Sequence, residues 1–341
     1  MDLSPFGFEK RREVVVILGA GATRGASFGS ASPVVRPPLD ADFFLQLRAS
    51  ELGTSEDAQR LLQFLEDEFG DVELSMEAFY SQVHLHDQFV GDFPRGKGRR
   101  QRYEWARRYF LRIIPSLFGL ALAGQKCRWH NALAAALAPG DTVITFNYDC
   151  LIDASLRDVA KRKWDPATGY GVEASGSLDA WTDHTGKGRF PVKRLSLLKL
   201  HGSMNWQVED GRLHLLPDAY SPRSEDDLCI VPPLWQKSFD DPPFHDVWLA
   251  AREQLTATKA LLVIGYSLPL TDVYTQAMLR IDVQKLDFLL IANPDPEARG
   301  RIRRVLSSAI TTSTRVVELE DMEAVGQLLD PGEGAEPEAS H

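Results

Sequence analysis

The sequence contains little cysteine and no long apolar run. Its 341 residues include three cysteines, at positions 127, 150 and 229, which cannot form a CxxC pair, a four-cysteine zinc site or an even disulfide framework. None of the apolar runs approaches the ~20 residues that a membrane-spanning helix needs. The opening residues, MDLSPFGFEKRR, lack the apolar core and small-residue cleavage site of a secretory signal. These absences predict a cytoplasmic protein without a membrane segment.

Basic residues are also scarce relative to acidic ones. The chain has 38 basic and 48 acidic residues, a net charge of −10, which argues against a general nucleic-acid coat. Hydrophobic residues make up 44% and charged residues 25%, as in globular proteins, so wholesale disorder is excluded. The acidic tail, residues 330–341, has the composition of a disordered segment. The remainder is long enough for one large domain or two ordinary ones.

Short apolar runs recur along the chain. The first, at 13–18, is rich in valine and is followed directly by Gly19. A run that is apolar on both faces is typical of a strand inside a parallel sheet that helices cover. Further runs of this kind lie at 142–146, 195–200, 228–231, 260–264 and 288–291, with a weaker one at 315–319.

Helical patterns separate these runs. Ser55 can cap a helix with one apolar face, and Pro115 is expected to kink or break a long helix over 103–122. The alternation of strands with helices predicts an α/β fold with a parallel sheet. Residues 40–138 show no strand pattern, so we predict a helical insertion after the first strand. Residues 161–194, rich in glycine and polar residues, predict a long excursion from the sheet.

The turn after the first strand reads Gly19-Ala20-Gly21-Ala22-Thr23. Glycines at this place would let a pyrophosphate approach the backbone N–H groups, because no Cβ stands in the way. The spacing departs from the dehydrogenase GxGxxG pattern, since Arg24 occupies the place of the third glycine. Two interpretations therefore stand, a nucleotide-binding turn and a merely tight turn between a strand and a helix.

Polar residues follow the next two strands. Asn147 and Asp149 come after the run at 142–146, and His201 comes after the run at 195–200. Ligands of open parallel sheets bind beyond the carboxyl ends of the strands, where these three side chains would lie. A histidine there can act as a general base near neutral pH. The alternatives are that Asn147 and Asp149 cap the following helix and that His201 is an ordinary surface histidine.

Two later strands end in the same way. Gly265 and Ser267 follow the run at 260–264, and Asn293 follows the run at 288–291. The glycine would allow close approach of a ligand to the backbone, the serine can hydrogen-bond a phosphate, and the asparagine can hydrogen-bond a ribose. Each of these segments is also compatible with an ordinary turn. Five strand ends with small or polar residues at one edge favour a common ligand site over five unrelated turns.

In this order the motifs resemble those of the sirtuin (silent-information-regulator-like) family, over about residues 13–310. The longer segments ITFNYDCLID, LKLHGSMNW and IGYSLPLTD are more similar to the bacterial defence-associated branch than to the lysine deacylases. The resemblance implies a Rossmann-like, doubly wound sheet that binds NAD+, in a domain formed by residues 1–39 and 139–329, with 40–138 inserted. The matching segments are Gly19-Ala20-Gly21, the T-x-N-x-D segment at 145–149, His201-Gly202, Gly265-Tyr266-Ser267 and Ala292-Asn293.

The resemblance also implies roles for individual residues. Asn147 would order the nicotinamide ribose and a water molecule, and His201 would act as the base. Asp149 would orient the site by hydrogen bonds. The pyrophosphate and its adjoining ribose would be surrounded by Gly19, Ala20, Gly21, Ala22 and Thr23, and the phosphate and adenosine end would be held by Gly265, Ser267 and Asn293.

The chain departs from the family in two places. Deacylating sirtuins carry a four-cysteine zinc module after the T-x-N-x-D segment, whereas here only Cys150 and Cys229 follow, so no zinc is expected. The acidic-Phe-Arg element after the first turn is absent as well. We therefore expect water to be the acceptor, which makes the chain an NAD+ glycohydrolase that depletes NAD+ in anti-phage defence. The alternatives are a protein deacylase or ADP-ribosyltransferase, and a non-enzymatic module that senses NAD+ or ADP-ribose.

An unregulated hydrolase of this kind would kill its host, so we expect gating by assembly of a homo-oligomer or by a separately encoded partner. The systems that the sequence resembles use partners such as a HerA-type ATPase or a short Argonaute. The basic stretch at 95–112 has eight Lys or Arg residues against one Glu. It could contact nucleic acid or an acidic protein surface, and the alternative is a solvated face of the helical insertion.

Overall fold

The computed structural model describes residues 1–10, 12–26, 35–70, 73–90, 97–182, 193–224, 227–233, 239 and 242–330. Residues 331–341 of the predicted tail, residues 183–192 of the predicted excursion and residues 95 and 96 of the basic stretch lie outside this part. The strands within it are β1 (Val14–Leu18), β2 (Thr142–Thr145), β3 (Ala174–Gly176), β4 (Ser196–Lys199), β5 (Trp206–Glu209), β6 (Arg212–Leu215), β7 (Ala260–Ile264), β8 (Phe288–Ala292) and β9 (Arg315–Leu319). The α-helices within it are α1 (Ala20–Arg24), α2 (Phe43–Ala49), α3 (Glu56–Phe69), α4 (Met76–Val90), α5 (Lys97–Leu122), α6 (Arg128–Ala136), α7 (Leu151–Val159), α8 (Phe244–Ala257), α9 (Val273–Asp282), α10 (Pro296–Val305) and α11 (Met322–Leu329).

The main sheet has six strands, all paired in parallel, in the order β4-β2-β1-β7-β8-β9. Every residue of β1, β7 and β8 is buried, because these strands lie inside the sheet, whereas the edge strand β9 is partly exposed. From β1 the chain first builds outward through β2 and β4, and it then returns to build β7, β8 and β9 on the other side. This arrangement confirms the predicted α/β, doubly wound parallel sheet.

The position where the building direction reverses lies between β1 and β7. Ligands of doubly wound sheets bind in the crevice outside the carboxyl ends of the strands at this position. Helices α6, α7 and α11 pack together as one layer, and α8, α9 and α10 form another. The crevice is therefore the place where the fold itself can receive a ligand.

The predicted helical insertion follows β1 and includes helices α2 to α6. Among the described residues between β1 and β2, there is no strand. Ser55 accepts a hydrogen bond from the Ala58 N–H and caps α3, as its position predicted. Pro115 lies inside α5, which continues to Leu122, so the predicted break does not occur. The centre of the insertion is a cluster of phenylalanine rings with centroids 5.1–5.3 Å apart: Phe43, Phe44, Phe79 and Phe110.

Two contacts join the insertion to segments at the carboxyl edge of the main sheet, and a third joins it to the loop after β6. Arg24 of α1 forms an ion pair with Asp42. The Thr271 hydroxyl, in the loop after β7, donates to the Glu77 carboxylate at 2.7 Å. Gly119 of α5 lies so close to Tyr220 that an added Cβ would come within 3.0 Å of the Tyr220 Cβ. The first two contacts therefore reach segments that carry predicted site residues.

The prediction of a strand at 228–231 was wrong. This segment forms a single antiparallel bridge, from Ile230 to Gly202, and does not extend the main sheet. Its backbone covers the turn after β4 instead, since the Val231 N–H donates to the His201 carbonyl at 2.8 Å and the Ser203 N–H donates to the Cys229 carbonyl at 3.1 Å. A short apolar run is as compatible with a segment that packs over a turn as it is with a strand.

A small sheet of β3, β6 and β5 was not predicted. It lies partly within the predicted excursion at 161–194, and its strands are three or four residues long. Trp206 of β5 is fully buried, with its ring 5.3 Å from that of Tyr170. Among the described residues, no helix is long and apolar enough to cross a membrane.

Candidate functional site

The turns after β1 and β7 are in direct backbone contact. The Gly19 N–H donates to the Ile264 carbonyl at 3.0 Å, and the Gly21 N–H donates to the Gly265 carbonyl at 2.8 Å. A Cβ on Gly19 would lie 2.5 Å from the Tyr266 Cα, and one on Gly21 would lie 2.7 Å from the Gly265 oxygen. These glycines are therefore required by the close approach of two strand ends.

This contact changes what the first turn offers a ligand. The N–H groups of Gly21 and Ala22 donate to protein carbonyls, the latter to Gly19 at 2.9 Å. While this arrangement stands, neither N–H is available to a phosphate. Ala20 is exposed and Gly21 is half-buried, so the turn can still contact a ligand through its surface. The tight-turn interpretation thus accounts for the glycines, and a binding role for residues 19–23 stays a prediction.

Asn147 lies against the first turn rather than capping the helix after it. Its Nδ2 donates to the Gly19 carbonyl at 3.0 Å and to the Thr23 hydroxyl at 3.1 Å. The Thr23 hydroxyl donates in turn to Oδ2 of Asp149 at 2.9 Å. Thr145 sets the position of the segment, because its hydroxyl accepts from the Asn147 N–H and donates to the Leu18 carbonyl. Asn147, Thr23 and Asp149 therefore form one chain of hydrogen bonds.

Asp149 is 3% exposed and has a second, local partner. Its Oδ1 accepts a hydrogen bond from the Leu151 N–H at 3.0 Å, at the start of α7. Asp149 therefore also caps this helix, as the alternative interpretation proposed. Burial raises the pKa of the Asp149 carboxyl above its usual value, although the Lys199 charge and the hydrogen bonds from Leu151 and Thr23 favour the ionised form. The orientation of the Asp149 carboxylate therefore depends on donors from two elements, α1 and α7.

Lys199, the last residue of β4, is a residue that the sequence reasoning missed. Its Nζ donates to the Asp149 carbonyl at 2.6 Å and to the Asp153 carboxylate at 2.8 Å, and the Lys199 and Asp153 side chains are both 0% exposed. Tyr170 donates a further hydrogen bond to Asp153 at 2.6 Å. A single lysine within an apolar run signals such a buried pair, but the sequence does not show its partner. The Lys199–Asp153 pair therefore stabilises the T-x-N-x-D segment through the hydrogen bond from Lys199 to the Asp149 carbonyl.

His201 lies in the turn after β4 and is 8% exposed. The turn needs glycine next, because Gly202 has φ +78° and an added Cβ would lie 2.2 Å from the Cys229 oxygen. The His201 ring packs edge-on against Phe146, with centroids 5.2 Å apart, and lies 6.3 Å from the Tyr148 ring. His201 is thus a largely covered histidine beside the Asn147 segment, and the surface alternative does not describe it.

Phe146 links three strand ends, a function that the sequence did not reveal. Besides His201, its ring stacks on that of Tyr266 at 4.5 Å with an interplanar angle of 15°. Phe146 belongs to the end of β2, His201 to that of β4 and Tyr266 to that of β7. Since Asn147 binds the turn after β1, four strand ends are joined by direct contacts.

Asn293 joins the fifth strand end, after β8, to the same set. Its Nδ2 donates to the Tyr266 carbonyl at 3.1 Å, and its Oδ1 accepts from the Asp295 N–H at 2.9 Å. Its amide therefore shapes two loops. Ser267 is exposed, while Gly265 is buried with φ +63° and meets the first turn. Ribose and phosphate contacts for these residues stay predictions.

The described residues contain no group of three or more His, Cys, Asp or Glu side chains that could hold a metal ion. The three cysteines are buried, and none of them forms a disulfide bond within the part of the chain that the structure describes.

Replacing Thr23 with valine tests the hydrogen-bond chain. Valine has the same shape but no hydroxyl, so the buried Asp149 carboxylate loses a donor and the Asn147 amide loses an acceptor. We expect the free energy of unfolding to fall by about 1–3 kcal/mol, measured by urea denaturation. Thr23→Ser keeps the hydroxyl and should lose less. A valine variant as stable as the wild type would show that the chain contributes nothing to the fold.

No family model matches the chain, and no curated protein matches its sequence. Solved structures that resemble it include Sir2 proteins. One, from "Structural Basis for the Mechanism and Regulation of Sir2 Enzymes", is 14% identical, with 94% of this chain and 91% of that one covered and a TM-score of 0.38. A mutant Sir2 homologue with 2'-O-acetyl ADP ribose is 11% identical, with 93% and 91% covered and a TM-score of 0.37. Likenesses this distant transfer no residue role to the chain.

Proposed function

We propose that the chain is an NAD+ glycohydrolase, which cleaves the nicotinamide–ribose bond to give nicotinamide and ADP-ribose. The observation that carries the proposal is the direct linkage of five strand ends at one edge of the sheet. Asn147 bonds to Gly19, Phe146 contacts His201 and Tyr266, and Asn293 bonds to the Tyr266 carbonyl. An amide and an imidazole thereby lie at the edge of the sheet where doubly wound sheets bind dinucleotides.

The reaction needs little acid catalysis. Nicotinamide carries a positive charge while it is bonded to C1' of the ribose, so it leaves as a neutral molecule with the electron pair of the broken bond. The transition state resembles an oxocarbenium ion, and the crevice contributes most by holding the ribose rigidly. Water attacks C1', and His201 accepts the proton that the water loses. Asn147 would orient this water and the ribose.

The acceptor is proposed to be water because the chain lacks the parts that a peptide acceptor would need. The four-cysteine zinc module of deacylating sirtuins cannot form from three cysteines. Transfer to an acylated lysine or to another protein is therefore the second candidate. It differs in requiring an added acceptor.

Burial of the site supports the proposal that activity is gated. His201 is 8% exposed, Asp149 3% and Thr23 2%, so a dinucleotide must displace groups that now cover them. We propose that assembly of copies of this chain, or a separately encoded partner such as a HerA-type ATPase or a short Argonaute, opens the crevice. NAD+ depletion on infection would then follow, and the protein would act in the cytoplasm, where NAD+ is found.

The test is to incubate the purified chain with NAD+ and follow nicotinamide release by chromatography. Protein concentration is varied to drive assembly, and each candidate partner is added in turn. Release without any added acceptor, in at least one arm, supports hydrolysis. Release that requires an acylated peptide or an acceptor protein would replace hydrolysis with transfer. Saturable NAD+ binding with no release in any arm would overturn the proposal in favour of a sensor.

A further inference from the structure

One face of α9 presents apolar side chains to solvent. Among the described residues, the three most exposed large apolar side chains are Leu270, Ile281 and Val273, at 77%, 65% and 56%. Val273 and Ile281 belong to α9, and Leu270 lies in the loop that leads into it. The opposite face of the helix packs into the protein through the buried Met278 and Leu279. An exposed apolar patch on a soluble protein often marks an interaction surface.

The exposed residues of α9 have helical spacing. They are Val273, Tyr274, Ala277, Arg280 and Ile281, and we call them the α9 stripe. Residues three and four apart on a helix lie on the same face, so Ala277 has one pair of neighbours at 274 and 280 and another at 273 and 281. The stripe is therefore symmetric about Ala277 in both position and exposure.

This symmetry favours a second copy of the chain as the occupant. A two-fold axis through Ala277 places two α9 helices antiparallel, and each residue then faces the one equally far on the other side of Ala277. Val273 meets Ile281 of the second copy, which pairs two apolar side chains. Tyr274 meets Arg280 of the second copy, which pairs an aromatic ring with a cation. A partner of unrelated sequence would require no symmetric stripe.

Ala277 at the centre permits close contact between the two helices. Packed helices have their axes about 8–10 Å apart, depending on the side chains at the contact. Tyr274 is already positioned, because its ring packs edge-on against Phe239 with centroids 5.3 Å apart, and Phe239 packs in turn on Trp248 at 4.3 Å. A positioned aromatic ring loses little conformational freedom on binding.

We propose that the α9 stripe is the interface of a two-fold dimer of this chain, and that this dimer is the assembly that regulates the candidate site. A contact between two helices and their flanking residues lies at the low end of interface sizes, below about 1,200 Å² in total. We therefore expect a reversible dimer with a dissociation constant on the order of 1–10 μM, which makes assembly sensitive to protein concentration.

The start of α9 is connected to the candidate site. Asp272, which caps the helix by accepting from the Thr275 N–H, also accepts a hydrogen bond from the Tyr266 hydroxyl at 2.6 Å. The Tyr266 ring stacks on Phe146, which contacts His201. A shift of α9 on dimer formation would therefore move the aromatic rings around His201. This regulatory part rests on the proposed NAD+ hydrolysis, whereas the dimer itself does not.

The dimer is tested by sedimentation velocity of the full-length chain, at concentrations from about tenfold below to tenfold above the expected dissociation constant. Ala277→Lys places two like charges opposite each other on the axis, and it should weaken the dimer at least ~100-fold. Ala277 is exposed, so folding should be unaffected, and thermal unfolding checks this. Ala257→Lys, exposed at the end of α8, is the matched control and should change the dissociation constant less than about twofold.

Ala277→Cys tests the position of the axis. Two Cα atoms that face each other on the axis of closely packed helices lie within the range of about 4.4–6.8 Å that a disulfide bond spans. Mild oxidation should therefore join two copies of Ala277→Cys, which gives a band of twice the mass on non-reducing gel electrophoresis. Ala257→Cys and the wild type should not give this band, since the native cysteines are buried.

A chain that is monomeric at every concentration would overturn the proposal. It would favour another occupant of the stripe, such as a different protein or residues 234–238 and 240–241 beside Phe239, which lie outside the described residues. A dimer that Ala277→Lys and Ala257→Lys weaken equally would also overturn it, because its interface would lie elsewhere.

Activity measurements separate this inference from the proposed function. A dimer that Ala277→Lys abolishes, with no nicotinamide release from the wild type, would support the interface and contradict the hydrolysis on which the regulatory part depends. Nicotinamide release that is lost in monomeric Ala277→Lys but kept in Ala257→Lys would support both parts. Equal release from the wild type and monomeric Ala277→Lys would overturn the regulatory role of the dimer.

Discussion

Replacing His201 with alanine is expected to lower the rate of nicotinamide release at least ~100-fold under any condition in which the wild-type chain is active. The substitution removes the imidazole that would accept the proton from water. The backbone contact from the Val231 N–H to the His201 carbonyl does not involve the side chain and can remain. The measurement is nicotinamide release at saturating NAD+, together with NAD+ affinity by calorimetry.

The separation of rate from affinity identifies the role of His201. A proton acceptor should change kcat and leave NAD+ affinity within a few-fold, whereas a residue that merely shapes the crevice should weaken affinity too. His245→Ala is the matched control, since His245 is exposed at the start of α8 and its substitution should leave the rate unchanged. Full activity in His201→Ala would remove His201 from the mechanism.

Replacing Lys199 with methionine is expected to lower the free energy of unfolding at pH 7 by about 3–5 kcal/mol. Methionine fills a similar volume, but it leaves the fully buried Asp153 carboxylate without its cation, and the Asp149 carbonyl without its donor. Urea denaturation measures the change. Because the pair lies beneath the T-x-N-x-D segment, loss of stability should be accompanied by weaker NAD+ binding.

The pH dependence of this effect has a definite sign. Burial opposes the charge of Lys199, but Asp153 and other neighbouring groups outweigh it and raise the pKa of Lys199 above its usual value. A group with a raised pKa in the folded state stabilises fully below its unfolded pKa, about 10.4, and the stabilisation is lost as pH rises through the folded value. The stability difference between wild type and Lys199→Met should therefore be largest near neutral pH and shrink above pH ~10.4.

Lys193→Met provides the control for Lys199→Met. Lys193 also pairs with a carboxylate, that of Glu13, but the two side chains are 67% and 60% exposed. The same substitution should cost less than about 1 kcal/mol at this site. Equal losses in the two variants would contradict the argument that burial makes the Lys199 pair important.

The fold could be predicted from the sequence because its central strands are buried on both faces. That burial makes runs such as 260–264 continuously apolar, and parallel pairing then brings their carboxyl ends together. The prediction failed at 228–231, because an apolar segment that covers a turn has the same composition as a short strand. The strands β5 and β6 are too short for alternation to be distinctive.

The candidate site could be predicted less completely, because strand ends reveal where residues lie and not what they contact. The sequence places Asn293 at the edge, but only coordinates show that its amide is engaged by two loops. Glycines 19 and 21 follow the pattern of a phosphate turn, yet packing against Gly265 and Tyr266 alone requires them. The roles of Asn147 and His201 in catalysis are predictions that the variants above test.

The two contacts between the insertion and the edge loops, through Asp42 and Glu77, have an evolutionary consequence. The insertion supplies none of the strand-end residues, but it bears on the loops that carry them. If the proposed gating acts through these contacts, substitutions in the insertion can change which signal opens the site while every strand-end residue is preserved. Regulation and chemistry can diverge separately in such a chain, so relatives with the same strand ends should differ most between β1 and β2.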